Sequence, residues 1–336
     1  MNRDDIQLIA FSDIKLSKRR RAHVKGIIPI TGIVVVWGPP KVGKSFWVFD
    51  LCMHVARGIS YRGRRVHQGT IVYCAFEGQG GFEARAEAYR RQHMPRAERG
   101  EHIPFYLQPH MLDLINDYDA LIGAIKPYGD PAIVVLDTLN RSLNGSESRD
   151  ENMSAYVRAA DAIREQFNCA VIIVHHCGIV GTRPRGHTSL SGAADAQIAV
   201  VRDDNRNVVA RIEFMKDGIG EGDVYVSSLI PIDLGADEDG DMITSCVIVE
   251  TTETPRFVRS SRTSEAVSVA LRALRDAVAD NDAPVSETVW AERAYALGVS
   301  RSENPESMRA AFRRARRALI ASNQVKQVGQ TYDVTR

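Results

Sequence analysis

The sequence predicts an α/β fold with a mostly parallel sheet, followed by a small domain of helices and a β-hairpin. Two observations predict it. Short β-branched runs alternate with helix-patterned stretches over the first ~250 residues, and after Glu250 a polar segment is followed by helix-patterned stretches and a short hairpin. At 336 residues and 44% apolar content, the chain has ample material for a buried core.

Six runs are apolar enough to predict strands buried on both faces, as in a parallel sheet covered by helices. They are Ile33–Trp37, Thr70–Phe76, Ala132–Leu136, Ala170–Val174, Gln197–Arg202 and Val208–Phe214. Between them, helical periodicity is clearest at Ser45–Val55, Gly81–Gln92 and Asp150–Phe167. The alternation predicts a doubly wound domain over residues 1–255.

A second domain is predicted over residues 256–336. Thr251–Arg262 is polar and is typical of a linker. Three helices and a hairpin are expected after it, at Thr263–Ala279, Ser286–Leu297, Pro305–Ser322, Val325–Val328 and Thr331–Val334. This order is typical of a winged helix-turn-helix, although any small helical domain would give its first part.

Charge is divided unevenly along the chain. The net charge of +1 combines +5 in residues 256–336, from 14 Lys and Arg against nine Asp and Glu, with −4 elsewhere. The near-neutral total is therefore no argument against nucleic acid, because the two parts can have different partners.

Composition also excludes several classes of protein. No apolar run approaches the ~20 residues of a membrane helix, and the first residues lack a signal-peptide stretch. The five cysteines form no CxxC pair, which argues against a disulfide framework or a zinc ribbon. We expect a soluble, cytoplasmic protein without a membrane partner.

The most specific motif is a phosphate loop. Gly38-Pro39-Pro40-Lys41-Val42-Gly43-Lys44-Ser45 matches G-x-x-x-x-G-K-[ST] between a predicted strand and a predicted helix. The glycines allow backbone N–H groups to surround phosphate, and the helix N-terminus adds its dipole. Lys44 is expected to reach the β- and γ-phosphates, and the Ser45 hydroxyl to join a Mg²⁺ shell.

Carboxylates end two other predicted strands. Asp137 is the candidate for holding Mg²⁺ through water, against a turn or cap role. Many ATPases place the water-activating Glu directly after this Asp, but here the residue is Thr138, which is not a base. Glu77, at the tip of the strand that follows the phosphate-loop helix, is the alternative base, against a solvated loop position.

A third strand end carries His175-His176-Cys177. Polar groups there are placed to contact the γ-phosphate. A Cys–His nucleophilic pair is disfavoured, because adjacent strand residues point to opposite faces.

Together these motifs resemble the RecA/DnaB-like core, and most closely the RepA-like AAA-family ATPases of plasmids, phages and integrated elements. The resemblance covers most of the first ~200 residues. The phrases that carry it are Tyr73-Cys74-Ala75-Phe76-Glu77-Gly78, Asp137-Thr138-Leu139-Asn140-Arg141, Asp150-Glu151-Asn152-Met153, His175-His176 and Arg185-Gly186-His187-Thr188-Ser189-Leu190-Ser191-Gly192-Ala193-Ala194-Asp195.

The resemblance implies a RecA-like core that uses ATP and Mg²⁺ and forms a ring, usually a hexamer, with ATP between subunits. It assigns water activation to Glu77 and γ-phosphate sensing to His176. It further implies that a neighbouring subunit supplies Lys216 to the nucleotide. No Arg stands at position 218, where the family pattern has one, and Arg211 and Arg202 are unsupported substitutes. Arg85 is a further phosphate-sensor candidate, with a surface role equally open.

The resemblance also implies single-stranded DNA in the ring channel, contacted by the loops Asn140–Met153 and Gly178–Ser189. Arg183, Arg185 and His187 in the second loop suit backbone phosphate, and the alternative is a solvated loop.

Duplex DNA is a candidate partner of the second domain. In helix Pro305–Ser322, Arg309, Arg313, Arg316 and Arg317 lie largely off the apolar stripe. They are candidate DNA ligands, against a solvated face that docks on the ATPase domain.

Two function classes stay open. One is a DNA-stimulated replicative helicase or translocase, and the other is a non-unwinding, ATP-switched DNA-binding regulator or recombination mediator.

Overall fold

A computed structural model describes most of the chain, in two compact units that divide between Arg256 and Phe257. The described residues are 8–16, 21–98, 100–147, 149–176, 188–216, 218–257, 265–281, 283–300, 302, 304–322 and 324–335. In that part of the chain, no helix combines the length and apolar character needed to cross a membrane.

The first unit is built on a nine-stranded sheet, preceded by a small pair, β1 (Ala22–Val24) and β2 (Ile28–Pro29). The nine strands are β3 (Gly32–Gly38), β4 (Ile71–Ala75), β5 (Phe105–Gln108), β6 (Ile133–Asp137), β7 (Ala170–His176), β8 (Ala196–Arg202), β9 (Val208–Met215), β10 (Val224–Ala236) and β11 (Met242–Glu250). Their order is β11-β10-β9-β8-β3-β7-β6-β4-β5, parallel from β8 to β5 and antiparallel from β8 to β11.

Helices cover both faces of the parallel part. They are α1 (Lys44–Arg57), α2 (Phe82–His93), α3 (Leu114–Ile125), α4 (Leu139–Ser142), α5 (Asp150–Phe167) and α6 (Thr188–Ala193). Two apolar cores result, one under α1 and α2 and the other under α3 and α5. Central strands such as β3 are buried at every position, which is why their sequences are apolar throughout rather than alternating. The predicted α/β class with a mostly parallel sheet is confirmed.

Several elements escaped the sequence analysis. β5 is a four-residue edge strand that is only half buried, so it lacks the apolar run that marks the inner strands. β10 and β11 form a long hairpin whose far half is exposed, and its polar positions hide the strand pattern. The acidic stretch around Asp237 is the turn of this hairpin, where the Asp237 carboxylate accepts the backbone N–H groups of Asp239 and Asp241.

The described residues of the second unit form three helices and a small sheet. They are α7 (Glu265–Asn281), β12 (Val285–Ser286), α8 (Glu287–Ala296), α9 (Pro305–Ala321), β13 (Val325–Val328) and β14 (Thr331–Val334), with strand order β12-β14-β13. Trp290 lies at the centre of its core, donates from Nε1 to the Ala270 carbonyl oxygen at 2.7 Å, and packs on Phe312 and Tyr332. The helices and the hairpin lie where the sequence predicts them, whereas β12 was not predicted. A winged-helix function of this unit stays a prediction.

Candidate active site

The carboxyl ends of four parallel strands bring the predicted nucleotide residues to one edge of the sheet. In the strand register, Gly38 lies opposite His176, Asp137 opposite Val174, and Ala75 opposite Asp137. Ligands of open α/β sheets bind outside this edge, because the loops that follow the strands converge there.

The phosphate loop between β3 and α1 is closely packed from behind. A Cβ at Gly38 would collide with the Val200 carbonyl oxygen, and one at Gly43 would lie 2.9 Å from a methyl group of Val208. Gly43 also has φ +101°, a conformation that favours glycine, and it is the N-cap of α1. The two glycines therefore permit a turn that no larger residue fits.

Between the glycines, the loop alternates between core and solvent. Pro40 and Lys41 are exposed at the tip, and Val42 is buried in the core under α1. The backbone N–H groups at the α1 N-terminus are the donors that an anion would meet at this point.

Lys44 is folded back into the loop. Its Nζ donates to the carbonyl oxygens of Gly38 and Pro39 at 3.0 and 2.8 Å and lies 3.3 Å from Nδ1 of His176. The residue is only 5% exposed. The ammonium group is therefore held at the mouth of the loop, where it can neutralise a phosphate chain.

His176 is poised as a neutral hydrogen-bonding group. Because an ammonium group only donates, Nδ1 accepts from Lys44 and the ring proton is assigned to Nε2. Burial, and then the charge of Lys44, lower the pKa of His176 below its ordinary value, while Glu77, Glu147 and Asp137 oppose the change. A neutral imidazole that carries its proton on Nε2 suits hydrogen bonding to a phosphate oxygen.

Ser45 and Asp137 form a pair of oxygen donors. Ser45 Oγ donates to Asp137 Oδ1 at 3.1 Å, and the hydroxyl of Tyr73 donates to Oδ2 at 2.6 Å. Burial raises the pKa of Asp137, and the hydrogen bonds from Tyr73 and Ser45 lower it in part. Burial also raises the pKa of Tyr73 well above its ordinary value, so that its hydroxyl remains a donor.

The oxygen atoms of Ser45 and Asp137 are suitable ligands for Mg²⁺. The ion prefers hard oxygen ligands, and nucleotide sites commonly hold it through one or two protein oxygens together with the phosphates. A hydroxyl and a carboxylate supply such oxygens here, directly beside the phosphate loop. In the described part of the chain, no cluster of three or more His, Cys, Asp or Glu side chains forms an all-protein metal cage. Mg²⁺ held jointly with nucleotide is the arrangement that this chemistry suits.

Glu77 and Thr138 are linked across the site. Thr138 Oγ1 donates to Glu77 Oε2 at 3.3 Å, and the Glu77 side chain is exposed toward the open edge. Thr138 occupies the position where many ATPases carry a base, and here its hydroxyl is hydrogen-bonded to the base candidate, which lies just beyond β4. This contact was not predicted from the sequence, because it joins residues that are 61 positions apart.

Other residues at the site were not assigned from the sequence or were left open. The Arg85 guanidinium lies 4.4 Å from the ring centroid of Phe46 and 5.3 Å from that of Phe82, and its charge lowers the pKa of Asp137. Buried Glu147 accepts from Asn140 at 2.7 Å. The position of Arg85 on the helix that follows Glu77 made it a candidate from the sequence, whereas no local sequence pattern marks Glu147.

Lys216 lies beyond the amino ends of the parallel strands, opposite the ends that carry the phosphate loop. Its Nζ is 3.4 Å from Asp195 Oδ1, and Asp195 Oδ2 accepts the backbone N–H of Ile33 at 3.0 Å. Ile33 is the second residue of β3 and Gly38 is the last, which separates the two positions by roughly 16 Å at ~3.3 Å per residue. The structure does not bring Lys216 to the phosphate loop of its own chain. Of the two substitutes, Arg202 ends β8 on the phosphate-loop side and donates to the Arg206 carbonyl oxygen, and Arg211 is exposed on β9.

The predicted DNA ligands separate into three groups. Arg183, Arg185 and His187 lie outside the described residues. Arg309, Arg313 and Arg317 are exposed on α9. Arg316 differs from them: it is half buried, paired with Glu287, and its guanidinium lies 5.9 Å from the ring centroid of Tyr332. The helical pattern places Arg316 beside the apolar stripe, and the tertiary fold turns its charge inward onto α8 and β14.

Comparison with known proteins yields a family and a set of similar solved structures. The family model AAA_25, described as an AAA domain, matches residues 5–181. No curated protein matches the chain.

The solved structures include a KaiC-like protein from the hyperthermophilic archaeon Pyrococcus horikoshii OT3, which is 13% identical over 69% of this chain and 99% of that chain, with a TM-score of 0.46. They also include the RadB recombinase, which is 17% identical over 60% of this chain and 90% of that one, with a TM-score of 0.43.

The matched segment is more than half of the chain and contains the phosphate loop, Glu77, Asp137 and His176. The chain therefore belongs to the AAA_25 family of AAA domains.

Proposed function

We propose that this protein is a Mg²⁺-dependent ATPase that assembles as a hexameric ring. In this proposal the ring acts on DNA as a replicative helicase or translocase. One observation carries the ATPase part: four strand ends place Lys44, the Ser45–Asp137 pair, the Thr138–Glu77 pair and His176 around one phosphate loop. AAA-family membership supports the same chemistry.

Each side chain has a distinct role in the proposed hydrolysis. Lys44 exchanges its contacts with the loop carbonyls for contacts with the β- and γ-phosphate oxygens. Glu77, oriented by Thr138, accepts the proton of the attacking water. Ser45 and Asp137 would hold Mg²⁺, which when bound offsets negative charge on the phosphates. His176 donates from Nε2 to the γ-phosphate and so registers its presence.

The ring part of the proposal is supported by the position of Lys216. This side chain lies at the strand ends opposite its own phosphate loop, so any contact that it makes with nucleotide would be with the nucleotide of another copy. The Asp195 carboxylate holds the ammonium group there in the isolated chain. A ring with ATP between subunits would use this surface.

The DNA part rests on exposed positive charge. Arg309, Arg313 and Arg317 form a basic face on α9 that suits phosphate backbone. The loop that carries Arg183, Arg185 and His187 is proposed as the single-strand contact, on the resemblance alone.

The ATPase assignment is tested with two variants and a matched control. Lys44→Ala should lose tight nucleotide binding, because it removes the ammonium group that is held against the loop carbonyls. Glu77→Gln should bind ATP and fail to hydrolyse it, because the amide cannot take a proton. Glu83→Gln, at an exposed position on the adjacent helix α2, makes the same chemical change and should hydrolyse ATP normally. Normal turnover by Glu77→Gln would contradict the assignment of the base.

Strand displacement separates the two function classes. DNA-stimulated ATPase activity should accompany unwinding of a forked duplex by the wild-type protein. ATPase activity without displacement would instead favour the DNA-binding switch. Light scattering with an ATP analogue and single-stranded DNA tests the ring, and a strict monomer under all conditions would contradict it.

A further inference from the structure

The hydroxyl of Tyr73 is the one polar atom of a side chain that is otherwise part of an aromatic core. Its ring is fully buried on β4 and packs against Phe82 and Phe105, with centroids 5.3 and 5.9 Å away. Phenylalanine would provide the same packing. A buried hydroxyl is costly unless it is hydrogen-bonded, so its partners indicate what it contributes.

Both partners belong to the nucleotide site. The hydroxyl lies 2.6 Å from Asp137 Oδ2 and 3.5 Å from the backbone carbonyl oxygen of Ser45. On the other side of the carboxylate, Ser45 Oγ donates to Oδ1. Each oxygen of Asp137 is therefore held by a donor from a different element, β4 for one and α1 for the other.

The strand register makes this contact possible. β4 pairs with β6 so that Tyr73 lies opposite Val135 and Ala75 opposite Asp137. Because side chains alternate along a strand, Tyr73, Ala75 and Asp137 point to the same face of the sheet, the face covered by α1. A long side chain two residues before the strand end is needed to span the gap, and tyrosine supplies both the length and the donor.

We infer that Tyr73 is a positioning residue for Mg²⁺, an inference that rests on the proposed ATPase function. By occupying Oδ2, its hydroxyl sets the rotation of the carboxylate and presents Oδ1, with Ser45 Oγ, to the metal shell. Mg²⁺ requires near-octahedral geometry and keeps several of its waters, so the direction of an outer carboxylate matters. Partners that orient metal ligands typically change metal affinity about 10–100-fold when they are removed.

Tyr73→Phe tests the inference, with Tyr89→Phe as the matched control. Tyr89 is buried in the same core, and its hydroxyl is bonded to Arg57, away from the phosphate loop. Binding of a fluorescent ATP analogue is measured in EDTA and at increasing Mg²⁺. We expect equal affinity of all three proteins in EDTA. The Mg²⁺ midpoint should rise about tenfold in Tyr73→Phe alone, and saturating Mg²⁺ should restore its affinity and turnover.

A double variant shows whether Tyr73 acts through Asp137. In an Asp137→Asn background, Tyr73→Phe should have no further effect on the Mg²⁺ midpoint. Three results would overturn the inference. The first is an unchanged Mg²⁺ midpoint in Tyr73→Phe, the second is a loss of nucleotide affinity in EDTA as large as the loss in Mg²⁺, and the third is failure of Tyr73→Phe to fold. In none of these cases would the hydroxyl act by orienting the Mg²⁺ ligand. A wild-type protein that binds nucleotide no better with Mg²⁺ would refute the proposed function itself.

Discussion

The buried carboxyl of Asp50 on α1 makes the stability of this protein depend on pH. Asp50 is 5% exposed, and His54, whose own pKa burial lowers to about 4, is 3.8 Å away. Burial raises the pKa of Asp50 from its ordinary value of 3.8 to about 7, with the nearby charge of Arg62 opposing the change and that of Glu250 adding to it. The folded chain therefore keeps a proton that the unfolded chain releases.

This difference sets the sign and size of the effect. Asp50 binds its proton in the folded state and releases it in the unfolded state between pH 3.8 and about 7, so its own contribution to the free energy of unfolding falls as pH rises through that window. His54 contributes with the opposite sign, and comparison of the wild type with a variant at Asp50 isolates the carboxyl. Three tenfold differences in proton affinity correspond to about 4 kcal/mol, of which about 3 kcal/mol develops between pH 5 and pH 8. Asp50→Asn removes the ionisation and keeps the shape of the side chain. The variant should therefore gain about 3 kcal/mol over the wild type across that range.

Urea denaturation at several pH values measures the effect. Tryptophan fluorescence is a suitable signal, because Trp37 and Trp47 are both buried in the first unit. Asp119→Asn, at an exposed position on α3, is the matched control and should stay within about 0.5 kcal/mol of the wild type. Parallel curves for Asp50→Asn and the wild type between pH 5 and pH 8 would refute the reasoning. A variant less stable at pH 8 would show instead that ionised Asp50 stabilises the fold through Arg62.

Three further substitutions test the phosphate loop and the second unit. Gly38→Ala should abolish nucleotide binding in a titration, because its Cβ would collide with the Val200 carbonyl oxygen; wild-type affinity would contradict this packing. Arg316→Ala should lower the stability of the second unit by about 0.5–1 kcal/mol in thermal denaturation, since it removes a half-exposed pair with Glu287. Arg313→Ala should leave the melting temperature unchanged and weaken duplex DNA binding at matched salt. If instead Arg313→Ala lowered the melting temperature and Arg316→Ala weakened DNA binding, the structural and DNA-binding roles of the two residues would be exchanged.

Sequence patterns were most informative where one local feature dictates the structure. The phosphate loop needs its glycines at fixed spacing, and the inner strands need apolar side chains on both faces, so both are visible without a fold. For the same reason α5 begins and ends at the residues the periodicity predicts, Asp150 and Phe167. Edge elements such as β5 have one solvated side, and their patterns are too weak to be recognised.

Composition, strand alternation and the phosphate loop were sufficient to predict an α/β nucleotide-binding core, because each depends on residues close together in the chain. The partners of those residues depend on strand order, which no local pattern encodes. Placing β6 between β4 and β7 brings Tyr73 to Asp137 and Thr138 to Glu77, across separations of 64 and 61 residues. The tertiary structure likewise turned Arg316 inward and put Lys216 beyond the amino ends of the parallel strands. Side-chain roles that depend on such packing are decided by the tertiary structure, because the order of the strands determines which distant residues come into contact.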